Sequence, residues 1–233
     1  DLNPEFKFTL FHLIVAAILK TIILRPKLNR FVANKNNYQR NSYSASFVVK
    51  KQFSDTSEEG LAFIYATEGS TLDSLHEDLF KQISREKKGG AGNATSSTMD
   101  ILNKLPRWFV KFFIWLMRQL DRHGIVPKSI IEADPYYASV ILSNLGSIKL
   151  RSGYHHLTNW GTTSLFVVVG EMKERIFRNE KGEDECRNSV DLGLTIDERL
   201  ADGYYYSKSV RLLKYILEHP ECLERPFSEP VDY

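Results

Sequence analysis

The chain has 233 residues, of which 42% are apolar and 26% charged, the make-up of an ordinary globular protein of one domain. With 31 basic against 29 acidic residues the formal charge is +2, which argues against a protein that binds nucleic acid by neutralising phosphates. At this length roughly 70% of the unfolded surface can be buried, so one core suffices without a metal or disulfide. The two cysteines, Cys186 and Cys222, stand far apart without metal-ligand spacing and point to a reducing, cytoplasmic setting.

The first element is Phe6–Leu24, apolar around most of a helical circumference and therefore expected as a central helix. Lys7, His12 and Lys20 interrupt it, leaving no run near the ~20 residues a membrane span needs. Arg25-Pro26 ends it, because proline removes a donor and holds its predecessor out of the helical region. Tyr43–Phe53 and Leu61–Ala66 alternate as strands do. A helix follows to about Arg85, with Ser70 expected as N-cap and Asp73 in its first turn, where a carboxylate suits the helix dipole.

Residues 86–98, EKKGGAGNATSST, are too small and polar to build a core and read as a flexible loop. Asn103 is expected to cap a helix with Pro106 in its first turn and Gly124 at its end. The aromatic run Trp108–Met117 within it is too short to span a bilayer. It is read as part of a buried helix, and membrane association as disfavoured. The alternative is a helix lying flat on a membrane surface, since Arg107, Lys111 and Arg118 flank its aromatic rings. Tyr137–Ser143, Thr163–Lys173 and Val190–Glu198 read as strands. The second contains the continuous apolar run Leu165–Val169 expected at the middle of a covered sheet. Asn179–Asn188, with Cys186, reads as a loop, and Tyr204–Leu217 as a closing helix stopped by Pro220. Strands interleave with helices throughout, so the fold class is α/β, a large mixed sheet covered by helices.

Four segments carry functional signal. They are RPKLN at 25–29 after the long apolar helix, SNLG at 143–146 after Val140–Leu142, Asn159 with Gly170, and TIDERLADG at 195–203 running into the last helix. In this order they resemble the coenzyme A-dependent acyltransferases typified by chloramphenicol acetyltransferase, and above all the catalytic domain of 2-oxo acid dehydrogenase acyltransferases. The resemblance covers nearly the whole chain, read as one acyltransferase-like domain over 1–233. Members of that family usually carry a further helix and strand ahead of the first segment, so the resemblance leads us to expect both before this chain.

What the resemblance implies is specific. The family's sandwich fold assembles as a homotrimer, with each active site in a channel between neighbours. A histidine four positions before an Asp-Gly pair takes a proton from the thiol of coenzyme A or the acceptor. A hydroxyl at the place of Ser143 donates to the oxyanion. The Asp of the pair, here Asp202, anchors the loop by pairing with a basic residue. Asn29, Asn144 and Tyr204 fall on segments that line the substrate channel. The ligands implied are coenzyme A or an acyl-coenzyme A and a small-molecule acyl acceptor, with no metal and no nucleic acid.

The departure is Glu198, which stands where the family has histidine. A carboxylate's reference pKa is about two units below that of imidazole, so it is the weaker base by roughly 3 kcal/mol. Burial in an apolar channel would recover much of that. The plain alternative for Glu198 is an ion pair with a nearby Lys or Arg, and for Asp202 a simple helix cap. His155 and His156 are alternative bases, expected on opposite faces of an extended segment, and Cys186 has no neighbouring base to make it a nucleophile. Two readings therefore remain open: an acyltransferase with an atypical Glu in the base position, and a catalytically silent acyltransferase-fold trimer acting as a binding or scaffold module.

Overall fold

A computed structural model describes residues 8–50, 59–87, 105–132, 134–179 and 181–233. Helix α1, Leu10–Leu24, has Ile14 to Leu19 and Ile22 almost entirely out of solvent on every side, as its all-round apolar sequence requires. A 3-10 turn, Pro26–Asn29, leads into a small antiparallel hairpin of β1 (Arg30–Ala33) and β2 (Asn36–Gln39). Next come β3 (Tyr43–Lys50), β4 (Glu59–Ala66), α2 (Leu72–Lys87), α3 (Arg107–His123), a short α4 (Lys128–Ile131), β5 (Val140–Asn144), β6 (Leu165–Arg178), β7 (Asp184–Ile196) and α5 (Gly203–Glu218).

Five strands form one mixed sheet in the order β4-β3-β5-β6-β7. β3, β5 and β6 run parallel, and β4 and β7 pair antiparallel at the edges. Residues of α1, α2 and α5 pack on one face of it, against Phe47, Ile64, Val140, Leu142, Leu165, Val167 and Val169. On the other face Ile141, Phe166 and Val168 form a smaller cluster with Tyr136, Leu145 and Leu157. The continuous apolar run of β6 is thus explained: its odd residues serve one layer and its even residues the other.

Several expectations need correction. Ser70 does not cap α2; its hydroxyl accepts from the Thr67 N–H at 2.9 Å, and Thr71 stands before the first helical residue with its hydroxyl 3.4 Å from the Ser74 N–H. Tyr137 belongs to a 3-10 turn, Pro135–Tyr137, capped by Asp134, and the strand begins at Val140. The second half of Asn179–Asn188 is strand, not loop: β6 and β7 continue as a ribbon paired from Met172↔Val190 to Arg178↔Asp184, so Cys186 lies exposed on β7 opposite Ile176. Backbone pairing across the ribbon forms that element, which its own polar sequence does not announce.

The largest correction concerns α3, which is not a buried helix. None of its residues is buried, and Trp108 is 71% exposed. Beyond Lys87, the loop read at 86–98 lies outside the described residues, as do Asn103, the first residues of the Phe6–Leu24 helix and the end of the Tyr43–Phe53 strand.

Candidate functional site

The SNLG segment lies where β5 leaves the sheet. Ser143 is half-buried, faces the same side of the sheet as Ile141, and its hydroxyl has no hydrogen-bond partner among the described residues. Asn144 spends its side chain locally, Oδ1 accepting from the Ser147 N–H at 3.3 Å to cap the following 3-10 turn. Gly146 is needed for close approach: a Cβ there would lie 2.5 Å from the Gly170 carbonyl oxygen. Gly170 is packed just as tightly, with the Ser152 nitrogen 2.5 Å from where its Cβ would be. The two glycines read separately in the sequence are thus one backbone-on-backbone contact that aims the Ser143 turn.

At the far end of β7 the chain turns into α5. Asp197 takes its neighbour Arg199 in a two-pronged ion pair, with Nε to Oδ1 at 2.8 Å and Nη2 to Oδ2 at 2.6 Å. Burial pushes the Asp197 carboxyl up, but the hydrogen bonds from Arg199 outweigh it and hold the group below the usual carboxylate range. Burial first, and then the Asp197 charge, lift the Tyr206 hydroxyl to about 12 while it donates to the Asp197 carbonyl. Because Arg199 is taken by Asp197, the ion pair expected at Glu198 does not form. Glu198 is exposed and has no ion pair among the described residues.

Asp202 caps α5, its carboxylate accepting from the Tyr205 N–H at 2.8 Å. That bond, with the charge of Lys27 nearby, holds its pKa low. The basic residue near it is therefore Lys27, from the RPKLN segment. The centre of this corner is Tyr205, which the sequence reading passed over for Tyr204. Tyr204 is 71% exposed, with Lys208 4.9 Å over its ring. Tyr205 lies under the Arg25 guanidinium and accepts from the Lys27 N–H at 3.1 Å through its hydroxyl. Only the i, i+3 relation of Asp202 and Tyr205 hinted at this in sequence. Asn29 is fully buried: Nδ2 donates to the Ser42 carbonyl at 3.0 Å, tying the segment before the β1–β2 hairpin to the start of β3, while Oδ1 has no hydrogen-bond partner among the described residues.

The two halves do not meet within one chain. Ser143 is level with Val168, and Val168 with Gly193, while Glu198 lies beyond the end of β7. With a rise of about 3.3 Å per residue and about 4.8 Å between strands, the two stand roughly 15–20 Å apart. His155 and His156 are stacked nearly parallel with centroids 5.1 Å apart, not on opposite faces, and His155 lies on Phe166 at 4.2 Å. An open cleft of about 900 Å³ lies between the β1–β2 hairpin, α3 and the 158–162 segment, bordered by Lys35, Arg118, Arg122, Asn159, Trp160 and Arg199; it includes neither Ser143 nor Glu198. Among the described residues no group of three or more His, Cys, Asp or Glu side chains is placed to hold a metal ion.

Comparison with solved structures finds this fold in several acyltransferases. A probable dihydrolipoamide acetyltransferase from Listeria monocytogenes is 14% identical, with a TM-score of 0.62 over 93% of this chain and 73% of that one. The dihydrolipoamide acetyltransferase of Azotobacter vinelandii, solved to define the roles of a serine, a histidine and an asparagine in its mechanism, is 13% identical with a TM-score of 0.61 over 93% and 71%. A chloramphenicol acetyltransferase is 10% identical with a TM-score of 0.51 over 89% and 77%. No family model and no curated protein matches the sequence. The likeness is one of fold, and the fold is the chloramphenicol acetyltransferase-like sandwich.

Proposed function

We propose that the chain is a coenzyme A-dependent acyltransferase-type domain working as a homotrimer, with each site formed by the Ser143 wall of one subunit and the Glu198 turn of the next. The observation that carries this reading is the separation of those residues, Ser143 level with Val168 and Gly193 within the sheet and Glu198 beyond the end of β7, each with an uncommitted side chain. A channel between subunits is the arrangement that brings such halves together.

In this reading Glu198 takes the proton from the attacking thiol or acceptor, and the freed nucleophile adds to the acyl carbonyl. The Ser143 hydroxyl donates to the resulting oxyanion, which collapses to expel the other group. Asp202, by capping α5, keeps the Glu198 turn in place. Within one chain Glu198 is exposed, so the neighbouring wall must exclude water for the carboxylate to act near neutral pH. The Azotobacter protein was studied for the roles of a serine and a histidine in its mechanism, and this reading assigns the corresponding places to Ser143 and Glu198. The cytoplasmic setting expected from the two cysteines belongs to the same proposal. The exposure of Glu198 favours one second reading, a catalytically silent trimer of this fold acting as a binding or scaffold module.

Isothermal titration with acetyl-coenzyme A tests the proposal. Saturable binding of one ligand per subunit supports it, and Glu198→Gln should then keep binding while lowering turnover by about 10²–10⁴-fold. No binding by a folded trimer overturns it in favour of the scaffold. Glu198→His discriminates further: activity arising from none marks a silenced enzyme, and loss of existing activity marks Glu198 as the working base.

A further inference from the structure

The anomaly outside the site is α3. It lies against the body through Val110, Phe113, Leu116, Met117 and Leu120, all half-buried, and through Asp121, which accepts from the Tyr137 hydroxyl at 2.7 Å and the Gly161 N–H at 3.3 Å. Its outer half is unusual for a protein surface: Trp108 is 71% exposed, Phe112 53% and Trp115 55%. At about 100° per residue these three share a sector of roughly 60°. Arg107, Lys111, Arg118 and Arg122 fill the adjoining sector of about the same width. None of the four forms an ion pair among the described residues.

We propose that α3 docks the protein on an anionic lipid surface, lying parallel to it with the indole rings of Trp108 and Trp115 at the headgroup level and the basic stripe against the lipid phosphates. Charge selects this occupant. The four cations less Asp121 give the helix +3, against +2 for the whole chain, so the rest of the chain is net negative and the positive excess sits beside the exposed aromatic face. A two-fold contact that packed two copies of the helix antiparallel would set this basic stripe against itself, which like charges resist. A bilayer with acidic headgroups satisfies both sectors at once, since aromatic rings favour the interface and basic residues the negative surface. No described helix is long and apolar enough to cross a membrane, so the contact is peripheral.

The test is co-sedimentation of the full chain with vesicles of phosphatidylcholine, alone and with a minority of phosphatidylglycerol, while following tryptophan emission. Binding only to the anionic vesicles, with a blue shift and with reversal by salt, is expected. Lys111→Glu should weaken it by more than the roughly fivefold expected for simple loss of one cation. Trp108→Ser with Trp115→Ser should abolish the blue shift while leaving acetyl-coenzyme A binding unchanged, which separates this proposal from the one above. No binding to either vesicle, or binding unaffected by these variants, overturns it. Dissociation of the oligomer by Trp108→Glu with Trp115→Glu would also overturn it, by assigning the face to a second copy.

Discussion

The guanidinium of Arg25 lies 3.9 Å over the ring of Tyr205. Through that contact the segment that ends the first helix is joined to the segment that begins the last, 180 residues later. Arg25 also donates to the Ser209 hydroxyl at 3.1 Å and the Tyr205 carbonyl at 3.2 Å. Lys27 adds its backbone N–H to the Tyr205 hydroxyl. The Glu198 turn therefore rests on an anchor built from both ends of the chain.

Tyr205→Phe keeps the stacked ring and loses one hydrogen bond, so it should cost about 1 kcal/mol. Tyr205→Ala loses the ring as well and should cost about 2–4 kcal/mol. Urea unfolding of the two variants measures this. Equal costs would mean that Arg25 gains nothing from the ring.

Gly146→Ala should destabilise by at least about 2 kcal/mol, because overpacking here meets backbone and not a movable side chain. The clash is with the Gly170 carbonyl, so relief requires the turn carrying Ser143 to move away from β6. A thermal melt reads the stability, and acetyl-coenzyme A titration of the surviving protein reads the displaced turn. An unchanged melt would show that the turn has slack.

Lys20 is 1% exposed and donates to the carbonyls of Cys222 at 2.9 Å and Pro226 at 3.0 Å. Burial pushes its pKa below the usual lysine value. It ties the C-terminal segment, with buried Phe227, to α1. Lys20→Ala leaves both carbonyls unanswered and opens a cavity, at a cost of about 3–5 kcal/mol. Lys20→Met fills the space and should cost less. Proteolysis at the C-terminal segment, faster in the Ala variant, gives an independent reading.

His12 predicts an acid-labile step. Burial, and then the nearby His76, lower its pKa from 6.5 to about 4, and its Nδ1 accepts from the Thr9 N–H at 3.1 Å. The folded state therefore binds this proton less readily than the unfolded chain. The stability is fully present above the unfolded value and is lost as pH falls from 6.5 toward about 4. The loss is on the order of 3 kcal/mol. His12→Gln keeps an acceptor at that position and cannot titrate, so its unfolding free energy should fall less over this interval. Parallel curves for the two proteins would exclude His12 as the source.

The sequence by itself determined the elements whose pattern is local. The all-round apolar residues of α1, the two-sided run of β6 and the Asp202–Gly203 start of α5 each carry their burial in their own spacing. The order of the four motif segments was enough to indicate the fold. Three things were decided only by tertiary structure. The outer ribbon of β6 and β7 mixes polar residues with exposed Met172, Ile176 and Phe177 and buries neither face, so its formation rests on cross-strand backbone bonds and on pairs such as Arg175–Asp191. The aromatic residues of α3 read the same whether a neighbouring element covers them or not, and here Trp108, Phe112 and Trp115 stay exposed while Phe113 is half-buried. Ser143 and Glu198 look like parts of one site along the chain, yet strand order and register put Ser143 two strands away and level with Gly193, five residues before Glu198. Local pattern reports what a segment prefers to bury. Distances between segments, and which surfaces stay open, follow from long-range pairing that no window of neighbouring residues contains.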